Sequence, residues 1–335
     1  MNLLQKISAR AVRSVVYLSR DMQHALGLGH GIYKSATGSR MMLYHGICKS
    51  NPLKFNTLFV TQKTFEAHLK FYKTHFNVVS LDDYYARKFS KEKFNVCITF
   101  DDGFANNHKY VLPLLQQYQV PATFFVTAVQ SAGHDILWND FISIFSKYGP
   151  EIVNFDNEEY VKNRYNKYIS TITGTGLIEK LRICGFSEKE AMIKTLYPLL
   201  PFKTNPTDHD YWQQMSANQI AQLSASPFVT IGAHGFYHND LACINVDDAS
   251  AELVNTKQFL ENIAQKTISS FAFPYGSYNA GVITAAKKAG YTQLLATDFI
   301  NQADKNDTTM RERFTINPFI SANNQMRATI KGSYE

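Results

Sequence analysis

Three observations predict an α/β fold with a parallel sheet inside and helices outside. Short apolar runs of strand type alternate with stretches of helical periodicity from about residue 41 to 318. Two of the runs end in residues of catalytic type: Asn95-Val96-Cys97-Ile98-Thr99-Phe100 delivers Asp101-Asp102-Gly103, and Phe228-Val229-Thr230-Ile231-Gly232 leads to His234. The chain also has the means to bury a large core, at 335 residues with 45% hydrophobic and 13% aromatic composition. About 200–250 of those residues suffice for one barrel-like α/β domain.

The elements follow in order. Residues 1–20 interleave Lys6, Arg10, Arg13 and Arg20 with Leu3, Leu4, Ile7, Val12, Val15, Val16 and Leu18, so the uninterrupted apolar stretch of a secretory signal is missing. Two readings of segment 1–39 stand side by side: an amphipathic helix resting on a membrane surface, or a helix or irregular arm packed on the barrel. No apolar run reaches the roughly 18 residues of a spanning helix. Met41-Met42-Leu43-Tyr44 then reads as a strand ending at His45. Thr61 caps a helix with Phe65, Leu69 and Tyr72 on one face, and Phe76-Asn77-Val78-Val79-Ser80 follows as a strand. Strand 94–100, a helix over 107–118 and strand 121–127 continue the series.

Residues 135–225 interrupt the alternation. With Trp138, Phe141, Ile144 and Phe145 among several helical stretches, they read as an inserted, mainly helical subdomain over the rim, its rings serving core packing more than a sugar-binding groove. Beyond it, Ala249, Leu253, Thr256 and Leu260 recur at helical spacing. Strand 268–273, a helix over 280–288 ending at Gly290, and strands 291–297 and 314–318 close the barrel domain, which spans 40–320. An exposed loop is expected at 301–309 and a tail at 321–335.

Charge and cysteine usage narrow the setting. A net charge of +6, from 34 basic and 28 acidic residues without a long basic block, does not indicate nucleic acid binding. It suits an anionic polymer or membrane surface, or simply a basic exterior. Cys48, Cys97, Cys184 and Cys243 are far apart and form no Cys-x-x-Cys pair. Cys97 and Cys243 fall in or beside apolar segments, so free thiols are expected, together with a cytoplasmic location and membrane association left open.

The carboxylate pair and the histidine pair point to a metal hydrolase. Attack of water on an amide or ester near neutral pH is served by a divalent ion held by two imidazoles and a carboxylate with one position open. His234 and His238 are four residues apart, which places both on one side of a helix or tight turn. Adjacent carboxylates at a strand end point in different directions, so one of Asp101 and Asp102 binds the ion and the other stays free to accept a proton.

Thr99-Phe100-Asp101-Asp102-Gly103, then His234-Gly235-Phe236-Tyr237-His238-Asn239-Asp240-Leu241, then Phe273-Pro274-Tyr275-Gly276 resemble the first three ordered motifs of the polysaccharide deacetylases, carbohydrate esterases with a nodulation-type deacetylase domain. The likeness extends to Leu43-Tyr44-His45-Gly46-Ile47, to Phe65 through Leu81 and to Val120 through Val126, and thins between about 135 and 225. It implies a distorted, seven-stranded (β/α) barrel. It makes Asp101 the general base, Asp102, His234 and His238 the metal ligands, and the Tyr275 backbone N–H a donor to the developing oxyanion. Zinc suits that ligand set, and cobalt or nickel accepts the same donors.

The chain departs from the family pattern in two places. Ala272 stands where many relatives carry an arginine at the start of the third motif, and Arg313 on a late strand either supplies that guanidinium from another direction or is a surface charge. No histidine follows His238, so the late histidine that often acts as general acid is missing. His45, at the carboxylate end of its strand, is the candidate for that role or for substrate contact, against a structural, hydrogen-bonded histidine. The implied function is a metal-dependent hydrolase removing acetyl groups from N-acetylated sugars of a polysaccharide or its lipid-linked precursor. Two alternatives remain: hydrolysis of another non-peptide C–N bond in a small amide or cyclic imide, and a catalytically silent carbohydrate-binding relative. Oligomeric state is not legible.

Overall fold

The computed structural model describes residues 3–29, 31–204 and 206–334. Two mainly apolar runs become the centre of its sheet: every residue of Asn95–Phe100 and Ala122–Val126 is buried, as expected of parallel strands covered on both faces. The hydrogen-bonded order is Met310–Arg311, Gln293–Leu295, Ser270–Ala272, Val229–Ala233, Ala122–Val126, Asn95–Phe100, Ser39–Tyr44 and Phe314–Thr315, and all pairs are parallel. Asn77–Val79 adds a short further strand against Asn95–Phe100.

The two outermost strands are consecutive pieces of one stretch. Met310–Arg311 pairs with Gln293–Leu295, and after Glu312 and Arg313 the chain pairs again, as Phe314–Thr315, with Ser39–Tyr44. A single split strand therefore joins both edges of the sheet, giving the expected distorted seven-stranded (β/α) barrel. The strand expected over 314–318 is shorter than that, and its partner piece at 310–311 was not foreseen, because two-residue segments carry no periodic signal.

Helices cover the outside. Thr61 caps Gln62–His75 by accepting from the Thr64 N–H, and the helix buries Phe65, Leu69 and Tyr72. Val246–Ala264 buries Ala249, Leu253, Thr256 and Leu260, the residues whose spacing predicts it. The helix expected over 107–118 is divided into a π turn at Asn107–Val111 and an α-helix at Leu112–Tyr118; Pro113, lacking an N–H, cannot donate to a continuous ladder there. Inside the ring, Met41, Cys97, Phe125, Ala272 and Leu295 pack together, while Val96, Ile98 and Phe100 alternate outward to the helices.

The insertion departs from the mainly helical expectation. Helices Trp138–Tyr148, Leu177–Arg182, Phe186–Leu196 and Ala217–Ser224 share it with a three-stranded antiparallel sheet of Ile152–Phe155, Glu158–Lys162 and Tyr168–Ser170. The first two strands meet at Asp156 and Asn157, both at positive φ (54° and 56°), the geometry of a tight hairpin turn. Trp138, Phe141, Ile144 and Phe145 join Tyr160 and Trp212 in an apolar cluster of the insertion. Segment 321–335, expected as a tail, carries the helix Ala322–Lys331, started by the Ser321 cap. It packs against the N-terminal helix Leu3–Ala25. Cys243 is exposed rather than packed in apolar surroundings, and all four cysteines are free. A short 3₁₀ turn, Gln302–Asn306, forms within the stretch expected as a loop.

Candidate metal and catalytic site

Strand register gathers the site. Tyr44 pairs with Phe100, so His45 and Asp101 leave their strands at one level. Val126 pairs with Ala233, and the His234 N–H donates to the Val126 carbonyl at 3.0 Å. After Asp101 the backbone turns sharply, with Asp102 at φ 73° and Gly103 at φ 76°. A β-carbon on Gly103 would lie 2.8 Å from Val126 Cγ1, so the turn that separates the two carboxylates needs glycine.

Asp102 is the hub of the histidine pair. Its Oδ1 lies 3.3 Å from His234 Nε2 and 3.2 Å from His238 Nε2. One ligand atom from each of the three residues falls within 4.8 Å of the others, the only such group among the described residues. Four-coordinate zinc with bonds of about 2.1 Å has ligand-to-ligand edges of about 3.4 Å, close to the two separations between Asp102 and the histidines. The His234 Nδ1–H donates to the Ala272 carbonyl at 2.8 Å, which leaves the Nε2 lone pair for a metal. All three side chains are buried, and the donor set fits a divalent ion of the zinc type. The histidines reach this arrangement from a loop rather than a helix, with His238 at φ 57°.

Asp101 faces a different partner. Arg313 Nη1 and Nη2 donate to its Oδ1 and Oδ2 at 2.6 and 2.7 Å, with both residues buried. Burial pushes the Asp101 carboxyl up, but Arg313 first and then His234 outweigh it, and the group sits below the usual carboxylate range. Arg313 is held in turn by the ring itself: Nε donates to the Ala296 carbonyl at 3.4 Å and its N–H to the Thr297 carbonyl at 3.1 Å. The guanidinium missing at Ala272 thus arrives from the break in the split strand.

The two remaining candidates lie at the same rim. Tyr275, at φ 59° in the turn Pro274–Gly276, sets its ring 4.7 Å from that of His238, and Arg182 lies over it at 4.7 Å. His45 Nδ1 is buried without a hydrogen-bond partner. Burial lowers this histidine below its ordinary range, opposed by Asp102 and then Asp101.

Other residues that hold the site carry no motif, because they come from the insertion or from a helix face. The Trp138 indole N–H donates to the His238 carbonyl at 3.2 Å. Lys189, buried in the insertion, donates to Asn239 Oδ1 and to the Cys184 carbonyl. Glu252 accepts from the Phe236 and Tyr237 N–H groups at 3.0 and 3.2 Å and from Asn239 Nδ2 at 2.6 Å. Asp140, also buried, keeps Oδ2 unpartnered, and burial, then Asp102, pushes its carboxyl well up. Only the helical spacing around Glu252 offered a hint; a charged residue on a core-facing position is that signal.

Known proteins share this fold. YxkH of Bacillus subtilis strain 168 is 20% identical over 267 residues, covering 77% of this chain, and the chain spans 64% of that relative's length. Among solved structures, the Streptococcus pyogenes deacetylase PplD aligns with a TM-score of 0.56 at 16% identity, covering 87% of this chain and 97% of its own. A polysaccharide deacetylase from Bacillus cereus aligns at 0.55 and 18%, covering 87% and 68%. IcaB from Ammonifex degensii aligns at 0.53 and 14%, covering 89% and 98%. These likenesses establish the barrel as a shared fold. Residues 88–294, more than half of the chain, match the polysaccharide deacetylase family model, and the protein belongs to that family.

Proposed function

We propose that the protein is a metal-dependent hydrolase that removes acetyl groups from N-acetylated sugars of a polysaccharide or its lipid-linked precursor. One observation carries the reading: Asp102, His234 and His238 converge as a metal-type donor set, while the adjacent Asp101 is paired as a carboxylate with Arg313. Family membership supports the substrate class, and PplD is described in complex with acetate, the product such a reaction releases.

In this reading each residue has a distinct task. Asp101, kept ionised by Arg313, accepts the proton of the water that attacks the acetyl carbonyl. A divalent ion bound by Asp102, His234 and His238 supplies Lewis-acid polarisation, which brings this chemistry within reach of neutral pH. The Tyr275 backbone N–H donates to the oxygen on which charge develops, a preorganised contribution that costs no rearrangement during the reaction. His45, at the same rim, protonates the departing sugar amine or positions the sugar. Zinc is the ion that fits the donors best, with cobalt and nickel as functional substitutes.

The test is acetate release from a panel of N-acetylated glycans by protein of measured metal content. Asp101→Asn keeps the shape but cannot accept the proton, so turnover should fall by roughly a hundredfold or more while metal stays bound. A metal-loaded wild type that releases no acetate from any glycan, or an Asp101→Asn protein with undiminished turnover, overturns the proposal.

A further inference from the structure

We infer that the N-terminal helix is a peripheral anchor for an anionic lipid bilayer. The helix Leu3–Ala25 is mounted the opposite way round from an ordinary surface helix, which turns its apolar stripe toward the core. Here the polar side faces the protein. The Tyr17 hydroxyl donates to the Tyr334 carbonyl at 2.9 Å, and Asp21 Oδ1 accepts from Ser321 Oγ, Asn323 Nδ2 and Asn324 Nδ2 at 2.7, 2.8 and 2.9 Å. Asn323 and Asn324 also donate to the carbonyls of Arg20 and Tyr17.

The outward side is apolar. Val15, Leu18, Met22 and Leu26 recur at spacings of three and four, which aligns them along one stripe, and they are 67%, 63%, 59% and 73% exposed. Val12 flanks the stripe and Leu28 continues it past the helix end, both exposed as well. Single exposed apolar residues are ordinary, but a continuous row of them marks an interaction surface.

Charge identifies the occupant. Residues 1–40 contain Lys6, Arg10, Arg13, Arg20, Lys34 and Arg40 against the single acid Asp21, so they hold five of the six excess positive charges of the whole chain. Arg13 and Lys34 are exposed. An apolar stripe together with a local basic excess suits insertion to headgroup depth, with cations drawn to acidic lipids. Pairing of two copies through the same face would bring two such positive segments together, which the Coulomb term opposes. At 23 residues the helix is long enough to cross a membrane, but it is not apolar enough to do so.

The experiment is sedimentation of the full chain with phosphatidylcholine vesicles, with and without phosphatidylglycerol, at low and high salt. Binding is expected with the phosphatidylglycerol vesicles at low salt and weakens as salt rises. V15Q/L18Q/L26Q leaves the charge and the barrel contacts alone and should lower the partition coefficient on the order of tenfold or more. R13Q should lower it roughly fivefold at low salt, and both variants should melt with the wild type. The inference is overturned by absence of binding to the anionic vesicles, by equal binding to phosphatidylcholine alone, or by a triple variant that binds as wild type does. It is likewise overturned by a concentration-dependent dimer, seen by sedimentation velocity, that the triple variant abolishes.

Discussion

Replacing Arg313 by methionine tests the charge arrangement around Asp101 without touching any metal donor. The two side chains are 1% and 4% exposed and meet through two hydrogen bonds of 2.6 and 2.7 Å. Solvent therefore cannot take over the role of the lost partner, and the relevant scale is that of a buried pair broken from one side, about 3–5 kcal/mol, rather than the 0–1 kcal/mol or so of a surface bridge. Arg313→Met should lower the unfolding free energy of the chelated protein by that amount at neutral pH. Arg313→Met with Asp101→Asn removes both charges and should recover much of the loss, with a coupling of up to about 3 kcal/mol in the cycle. The pH dependence has a definite sign. In the wild type the Asp101 carboxyl is depressed, so its contribution is present above the unfolded value near 3.9 and is lost as pH falls through the folded value. Without Arg313, burial remains and drives the carboxyl upward, so the contribution reverses and the variant gains relative stability on acidification. The acidic limb of the pH–rate profile should move upward for the same reason. Urea unfolding followed by fluorescence of the buried Trp138 and Trp212 at several pH values reads these changes. A single variant within about 0.5 kcal/mol of wild type, with no coupling to Asp101→Asn, would refute the reasoning.

Two further outcomes are expected. His234→Ala removes one of three donors, so metal content measured on the purified protein should drop together with activity; full occupancy in that variant would move the metal elsewhere. Lys189 is lowered by burial from 10.5 to about 8, so its buried ammonium costs stability below about pH 8, and that cost is relieved as pH rises toward the unfolded value. Wild-type stability should therefore climb by roughly 3 kcal/mol at most across that window, whereas Lys189→Met should lack the climb; parallel curves from pH-resolved unfolding would disprove the assignment.

The reacting side chains were legible because parallel strands deliver them in a fixed way: a run such as Asn95–Phe100, buried at every position, must end at a rim, and Asp101 and His234 follow such runs directly. Helices with one-face spacing, including Val246–Ala264, were legible for the same reason of period. Less legible was the partner of Asp101. Arg313 precedes a two-residue strand piece with no pattern of its own, and only the ring brings it to a carboxylate 212 positions earlier. Trp138 and Lys189 were similarly silent, since their contacts to the histidine loop run between the insertion and a strand end, a distance no local signal spans. The hairpin at Asp156-Asn157 was visible in principle, as two turn-forming residues between short alternating strands.

The split strand also bears on how the chain comes into being. At about 5–20 residues per second of synthesis, residue 313 follows residue 101 by roughly 10–40 s. Throughout that interval the carboxylate has no guanidinium to face, and burial pushes it upward without that opposing charge. The segment that joins the two edges of the sheet also brings the charge that ionises Asp101. Until residues 310–315 are added, the ring lacks the piece that joins its edges and Asp101 lacks its guanidinium partner.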